Sequence, residues 1–183
     1  MADLVFQNKL TGDSFSFANK VRNISDILGL PANDVGANWL MAVMNSESGL
    51  NPAAQNNIGA TGLIQFLPST AKELGTSIDE LKNMSALDQL DYVSKYFKPF
   101  TNKLKTLPDT YLAIFYPAAI GKGLNYVFPE WVYLANPGLG KNVSDFEKWV
   151  WTRVPAELRN KNNFIITSIL ILLGFLIFNK YGK

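Results

Sequence analysis

The chain has 183 residues, 48% of them hydrophobic, with 12 Phe, 7 Tyr and 4 Trp; that is enough apolar material for one domain with a real core plus an appendage, and it excludes disorder over most of the length. The net charge is only +2 and no run of five like charges occurs, so no nucleic-acid surface is expected. Cys and His are both absent, which excludes disulfides, thiolate nucleophiles, zinc–thiolate sites, Ser-His-Asp triads and the commonest transition-metal ligand.

Acid–base chemistry must therefore fall to carboxylates, Lys or Tyr. No Asp-rich calcium loop or Walker-type glycine loop occurs. The first ten residues lack an apolar stretch behind a basic start, and no export signal is expected in them. The first helix is expected from about Asp13 to Leu28, where Phe17, Val21, Ile24 and Leu28 share a face and Gly29 supplies the stop. A second is expected from Asn33 or Asp34 to about Ser46, with Leu40, Val43 and Met44 as its apolar face.

"GATGLIQFLPSTAKELG" reads as a glycine-rich loop followed by a short helix, with Pro68 suited to the first helical position and Gly75 to the stop. "SIDE", Ser77 to Glu80, is a capping-box pattern. "SALDQLDYVSKYF" starts a helix at Ser85 and turns Leu87, Leu90 and Val93, or Leu90, Tyr96 and Phe97, toward a core. "PDTYLAIFY" is an apolar helix interrupted by Pro117, and "SDFEKWVW" carries a second capping-box pattern from Ser144. Between them "YVFPEWVYLANPGLGKN" is aromatic and turn-rich. It could complete a cleft wall, bind sugar faces or pack on the C-terminal helix; packing is the default for clustered aromatics. No segment before residue 160 alternates with a period of two, so the expected fold class is all-α, built from six to eight short helices.

The tail differs. "FIITSILILLGFLIF", Phe164 to Phe178, carries no charge. As a helix it spans only ~22 Å, less than the ~30 Å hydrocarbon core. Its flanks extend that reach: Asn160, Lys161, Asn162 and Asn163 precede it, and Asn179, Lys180, Tyr181 and Lys183 follow, so snorkelling Lys, an interfacial Tyr and local thinning can absorb the difference. With no polar face, it is expected to be a transmembrane anchor rather than a buried terminal helix. Lys lies on both sides and leaves the orientation open. Val154 to Asn163 reads as a polar linker, or equally as the end of the last domain helix.

The residue that stands out is Glu47. At 100° per residue it falls within about 60° of Leu40, Val43 and Met44 if the second helix continues that far. Burial there raises a carboxyl's pKa, and the C-terminal end of a helix dipole pushes the same way, so the group holds a proton as a general acid must. The same spacing fits an exposed Glu in a frayed last turn, or one paired with a Lys.

Three ordered stretches surround it: Glu47-Ser48 at a helix end, Gly62-Leu63-Ile64-Gln65 with "PSTAKELG" after it, and "AIFYPAAIG" containing Tyr116. Together, over roughly Ile24 to Gly123, they resemble the catalytic core of soluble-type lytic transglycosylases, lysozyme-like enzymes that cut peptidoglycan. The family has Met where Ile64 stands and Asn where Pro117 follows Tyr116. The resemblance implies a lysozyme-like all-α domain over residues 1–153, with its core at 24–123, followed by the linker 154–163, the anchor 164–178 and a short basic tail 179–183. It implies that Glu47 is the catalytic acid and then base. Ser48 would orient a sugar substituent or the carboxylate, Gly62 and Leu63 would form part of the substrate-binding loop, Gln65 would hydrogen-bond substrate, and Tyr116 would hydrogen-bond near Glu47.

The resemblance implies no metal or organic cofactor, and it implies non-hydrolytic cleavage between N-acetylmuramic acid and N-acetylglucosamine, which would need no second acid. A hydrolytic scheme would, and Asp88, Asp91 and Asp109 are the candidates; each also has an ordinary role, as a first-turn helix acid (Asp88, Asp109) or on a solvated helix face (Asp91). The implied partners are peptidoglycan glycan strands, a lipid membrane through residues 164–178 and other virion proteins. The expected setting is a membrane-associated phage particle whose enzymatic domain acts in the host periplasm or cell wall. A non-catalytic, membrane-anchored wall-binding or virion structural protein is the alternative that the Pro117 departure favours.

Overall fold

The computed structural model describes residues 2–159. Eight α-helices occur among them: α1 (Ser14–Ile27), α2 (Val35–Ser48), α3 (Pro68–Glu73), α4 (Ile78–Asn83), α5 (Ala86–Phe97), α6 (Leu107–Phe115), α7 (Glu130–Ala135) and α8 (Val143–Arg153). There is no β-strand among the described residues, only isolated bridges such as Thr61 with Phe66 and Val127 with Asn142. The all-α expectation holds over this range.

Local sequence sets most of the boundaries. Asp13 caps α1 by accepting from Ser16 N, and Pro68 opens α3. Ser77 and Glu80 close a reciprocal capping box on α4, and Ser85 accepts from Asp88 N at the start of α5. One cap differs from expectation. The helix expected to start at Ser144 starts at Val143, and its cap is Asn142, whose side chain accepts from Asp145 N at 2.9 Å. The cause is tertiary. Val143 N donates to Tyr126 O and Phe128 N to Lys141 O, so Asn142 is held extended in the bridge with Val127 and becomes the last non-helical residue.

The organising element is α2. Every residue from Gly36 to Met44 is buried, so this length of the helix has no solvent face where the sequence suggested a single apolar stripe, and its last turn, with Ser46 exposed, reaches the surface. Leu40, Met41 and Met44 pack into one apolar cluster with Phe17, Val21 and Ile24 of α1 and Leu90, Val93 and Phe97 of α5. Trp39, Ala42 and Val43 pack into another with Leu107, Tyr111 and Leu112 of α6, Phe128, Val132, and Phe146 and Val150 of α8. Gly36 lets α1 approach, since a Cβ there would collide with Leu30 Cβ and Ser25 Oγ.

Gly49, left-handed at φ +65°, ends α2, and its N–H returns to Asn45 O. The loop from there to Leu67 hangs on Gln89 of α5, a fully buried side chain. Its Oε1 accepts from Leu63 N at 3.0 Å, and its Nε2 donates to Pro52 O and Leu81 O, both at 2.6 Å. Gly62, at φ +84°, sits against this amide, and a Cβ there would strike it.

The apolar run 164–178 and the tail 179–183 lie outside the described residues. Among the described residues no helix is long and apolar enough to cross a membrane. Of the stretch 154–163, residues 154–159 are described, and Val154 and Leu158 are buried in the second cluster.

Gln89→Leu keeps the volume of the α5 side chain but strands the Leu63 N–H and the Pro52 and Leu81 carbonyls. The expected loss is about 3 kcal/mol of unfolding free energy, read as a lower urea midpoint at unchanged slope.

Candidate active site

Glu47 sits in the last turn of α2, on the seam between the two clusters: of its helical neighbours, Leu40 and Met44 face the first cluster and Val43 the second. Burial pushes its carboxyl up from 4.5 to about 7. No ion pair among the described residues involves it. A shift of that size corresponds to roughly 3 kcal/mol of disfavoured ionisation.

Two tyrosines feel the Glu47 charge, one from each cluster. Tyr96 of α5 donates to Ala113 O at 2.9 Å, and burial and then Glu47 raise its pKa. Tyr111 of α6 donates to Ala42 O at 2.9 Å and is hydrogen-bonded to Ser46. Its pKa is pushed up to about 12, first by burial and then, against the Ser46 bond, by Glu47. Both remain neutral hydroxyls through the physiological range; Tyr111 ties α6 to α2, and Tyr96 ties α5 to α6.

A cleft of about 570 Å³ opens at Glu47. Tyr111, Ile114 and Phe115 of α6 form its floor, with Phe146 and Trp149 of α8 behind them. Ile58 and Leu67 of the loop line one flank, and Trp131 and Asn136 another. Glu47 is the only carboxylate in this lining. A proton-bearing acid in an aromatic-walled groove can deliver a proton to a bound leaving oxygen and then accept one back.

The other residues singled out in the sequence lie in three places. Ser48 follows Glu47, and its hydroxyl reaches both Met44 O (3.0 Å) and Leu63 O (3.1 Å), tying the helix end to the glycine loop. Gly62 and Leu63 are buried in that loop. Gln65 adopts a left-handed φ of +54°, and its Nε2 donates to Ala54 O (3.2 Å) and Gly62 O (3.1 Å). The Ser48 and Gln65 hydrogen bonds thus run to backbone carbonyls and build the wall beside Glu47.

Tyr116 lies elsewhere. Its ring packs edge-on against Phe128 (5.8 Å between centroids) and against Trp131 (6.1 Å), and its hydroxyl is paired with Tyr126. Asp88 caps α5 with Ser85, Asp91 pairs with Lys20 at 2.8 Å, and Asp109 accepts from Lys105 N and Thr106 N. The structure brings none of the three into the cleft lining.

Gln89 and Tyr111 were not singled out in the sequence, Tyr96 was expected only as a core residue, and Trp131 lies in the aromatic stretch for which packing was the default and a cleft wall an alternative; the structure places Trp131 in the cleft lining. Gln89 left a readable signal: it stands on the apolar face of α5 beside Leu90 and Val93, where a polar side chain must find buried partners. Tyr96 and Tyr111 gave none, since both sit in apolar helices where a ring is ordinary core.

Residues 31–115 match the family model of the transglycosylase SLT domain. No solved structure matches the chain.

The raised Glu47 pKa carries a pH signature. The folded state holds the proton more tightly than the unfolded chain, so this contribution to stability is fully present below pH 4.5 and is lost as pH rises through about 7. Glu47→Gln removes the ionisation. The variant should match the parent near pH 4 and exceed it by up to roughly 3 kcal/mol at pH 8, in urea unfolding at the two pH values.

Proposed function

With a transglycosylase SLT domain at residues 31–115 as the premise, an enzyme domain of lysozyme-like type that cleaves glycosidic bonds in peptidoglycan, we propose that Glu47 is its catalytic acid and base. The observation that carries this reading is the burial of Glu47 at the mouth of an aromatic cleft, with its carboxyl held at about 7. Protonated Glu47 gives its proton to the glycosidic oxygen between N-acetylmuramic acid and N-acetylglucosamine, and the bond from the muramyl C1 to that oxygen breaks. The substrate's own acetamido group stabilises the positive anomeric carbon, a recognised exception to two-carboxylate chemistry. The muramyl 6-hydroxyl then bonds to C1 and yields its proton to the Glu47 carboxylate. The products are a free N-acetylglucosamine 4-hydroxyl and a 1,6-anhydro ring, and Glu47 is protonated again.

Neither water nor a second acid enters this sequence, which suits a cleft whose only carboxylate is Glu47. Tyr111 braces the helix that carries the acid through Ala42 O, and Tyr96 braces the neighbouring α6 through Ala113 O. Ser48 and Gln65 hold the adjoining loop, and through it the shape of the glycan groove.

The proposed setting is a membrane-associated phage particle, with the domain opening the host wall locally during entry or lysis and other virion proteins around it. What supports the membrane association is the uncharged run from Phe164 to Phe178. Deleting 164–178 should abolish flotation of the chain with phospholipid vesicles; unchanged flotation would remove the tether from the proposal.

The chemistry is tested by digesting isolated sacculi with the full-length protein and identifying the muropeptides by mass spectrometry. Anhydro-muropeptides are expected; reducing-end muropeptides would replace the reaction by hydrolysis. Glu47→Gln should lower the rate by about 10²–10⁴-fold. The acid must be protonated at the start, so kcat/KM should be level from pH 5 to 6 and fall through about pH 7. A second falling limb near pH 4 would reveal another essential carboxylate.

A further inference from the structure

Trp131 stands in the first turn of α7, beyond the matched residues 31–115, and is 69% exposed. Exposure of that size is unusual for the largest apolar side chain, and its surroundings hold it in place. Val132, the next residue, is buried with Phe128 in the second cluster and pins the short helix. Tyr116 supports the Trp131 ring edge-on at 72°, and is itself held by Phe128 and by the Tyr126 hydroxyl. Tyr116 precedes Pro117 and lies at φ −155°, outside the helical region that a following proline disfavours, so α6 ends and its ring is carried to Trp131. The supported ring lines the same cleft as Glu47.

A rigid aromatic face in a concave groove is matched by a flat partner with weakly positive C–H groups on one side, which is the face of a pyranose ring. We propose that Trp131 is a sugar-stacking residue of the glycan groove and that Tyr116 positions it. The inference rests on the reading that this cleft takes a glycan strand. A lipid surface is the competing partner, because Leu124, Val127 and Leu134 are also exposed near Trp131 in sequence. None of these three lines the cleft, whereas Trp131 does, and the groove's Glu47 and Asn136 are polar groups suited to a saccharide.

Stacking away from the reacting atoms contributes equally to ground state and transition state, so its loss appears in KM. With full-length protein on sacculi, Trp131→Ala should raise the half-saturating substrate concentration about tenfold and leave the maximal rate within about twofold. Trp131→Tyr keeps a ring face and should restore most of the binding. In the Glu47→Gln background, sedimentation with sacculi should show the same tenfold weakening for Trp131→Ala, and a weakening in the same direction for Tyr116→Ala. Unchanged half-saturation in Trp131→Ala overturns the proposal, as does Trp131→Tyr behaving no better than Ala. So does weakened flotation with phosphatidylglycerol vesicles at unaltered sacculus binding, which assigns the ring to lipid. Loss of the underlying reading has a different signature: Glu47→Gln would then cleave sacculi as fast as the parent.

Discussion

The structure depends on one constraint, that α2 is buried on all sides from Gly36 to Met44. A helix in that position divides the apolar interior, and here its Leu40, Met41 and Met44 go to one cluster and its Trp39, Ala42 and Val43 to the other. The seam between the clusters runs along the helix and reaches the surface at its C-terminal turn, where Glu47 stands. The same packing that stabilises the domain therefore withdraws water from the carboxyl and raises its pKa to about 7. The cost is confined to conditions in which Glu47 ionises. Tyr96 and Tyr111 approach from the two clusters and donate to backbone carbonyls of α6 and α2, so the acid sits where both halves of the core must be in register.

The adjoining loop solves a second problem. Residues 49–67 must pass close to Glu47 without regular structure, and each buried backbone group needs a partner. Tight backbone pairs such as Thr61 with Phe66 and Gly62 N with Ala54 O supply part of them, and side-chain amides and hydroxyls supply others. Gln89 bonds to two backbone groups of this loop and one of α4, Ser48 reaches Leu63, Gln65 reaches Ala54 and Gly62, and Asn56 Oδ1 accepts from Ile58 N and Ala60 N. Left-handed Gln65 is an uncommon conformation for a residue with a Cβ, and its two amide bonds hold it there. The polar residues of the Glu-Ser and Gly-Leu-Ile-Gln stretches thus give the cleft a fixed wall.

What the sequence reveals follows the range of the forces involved. Local signals set the capped helices: Asp13, Pro68, Ser77 with Glu80, and Ser85 all act within a turn of where they stand. The place of Glu47 was legible because helical periodicity carries it onto the apolar seam. The start of α8 was not, because the pairing of residues 126–128 with 141–143 selects Asn142 over Ser144. Full burial of α2 from Gly36 to Met44 was also hidden, since a stripe of Leu40, Val43 and Met44 does not disclose that Trp39 and Met41 are covered as well. The location of Tyr116 is a long-range outcome: proximity to Glu47 was expected, and its contacts are with Phe128, Trp131 and Tyr126.

Pro117 connects this last point to the site. A residue before proline avoids the helical region, so α6 closes at Phe115 and the chain turns out at Tyr116. Phe115, still helical, stacks on Phe146 at 5.1 Å and lines the cleft floor, while Tyr116, one residue on, faces the aromatic group of residues 126–131. Adjacent rings thereby serve different walls of one groove. Two of those walls, Trp131 with Asn136 and Phe146 with Trp149, come from beyond residue 115, so the matched segment supplies the acid and its loop while the later residues complete the enclosure. The departure at position 117 is then a structural link between them: it ends the helix whose Tyr111 braces α2 and turns the next ring against Trp131 of the cleft lining.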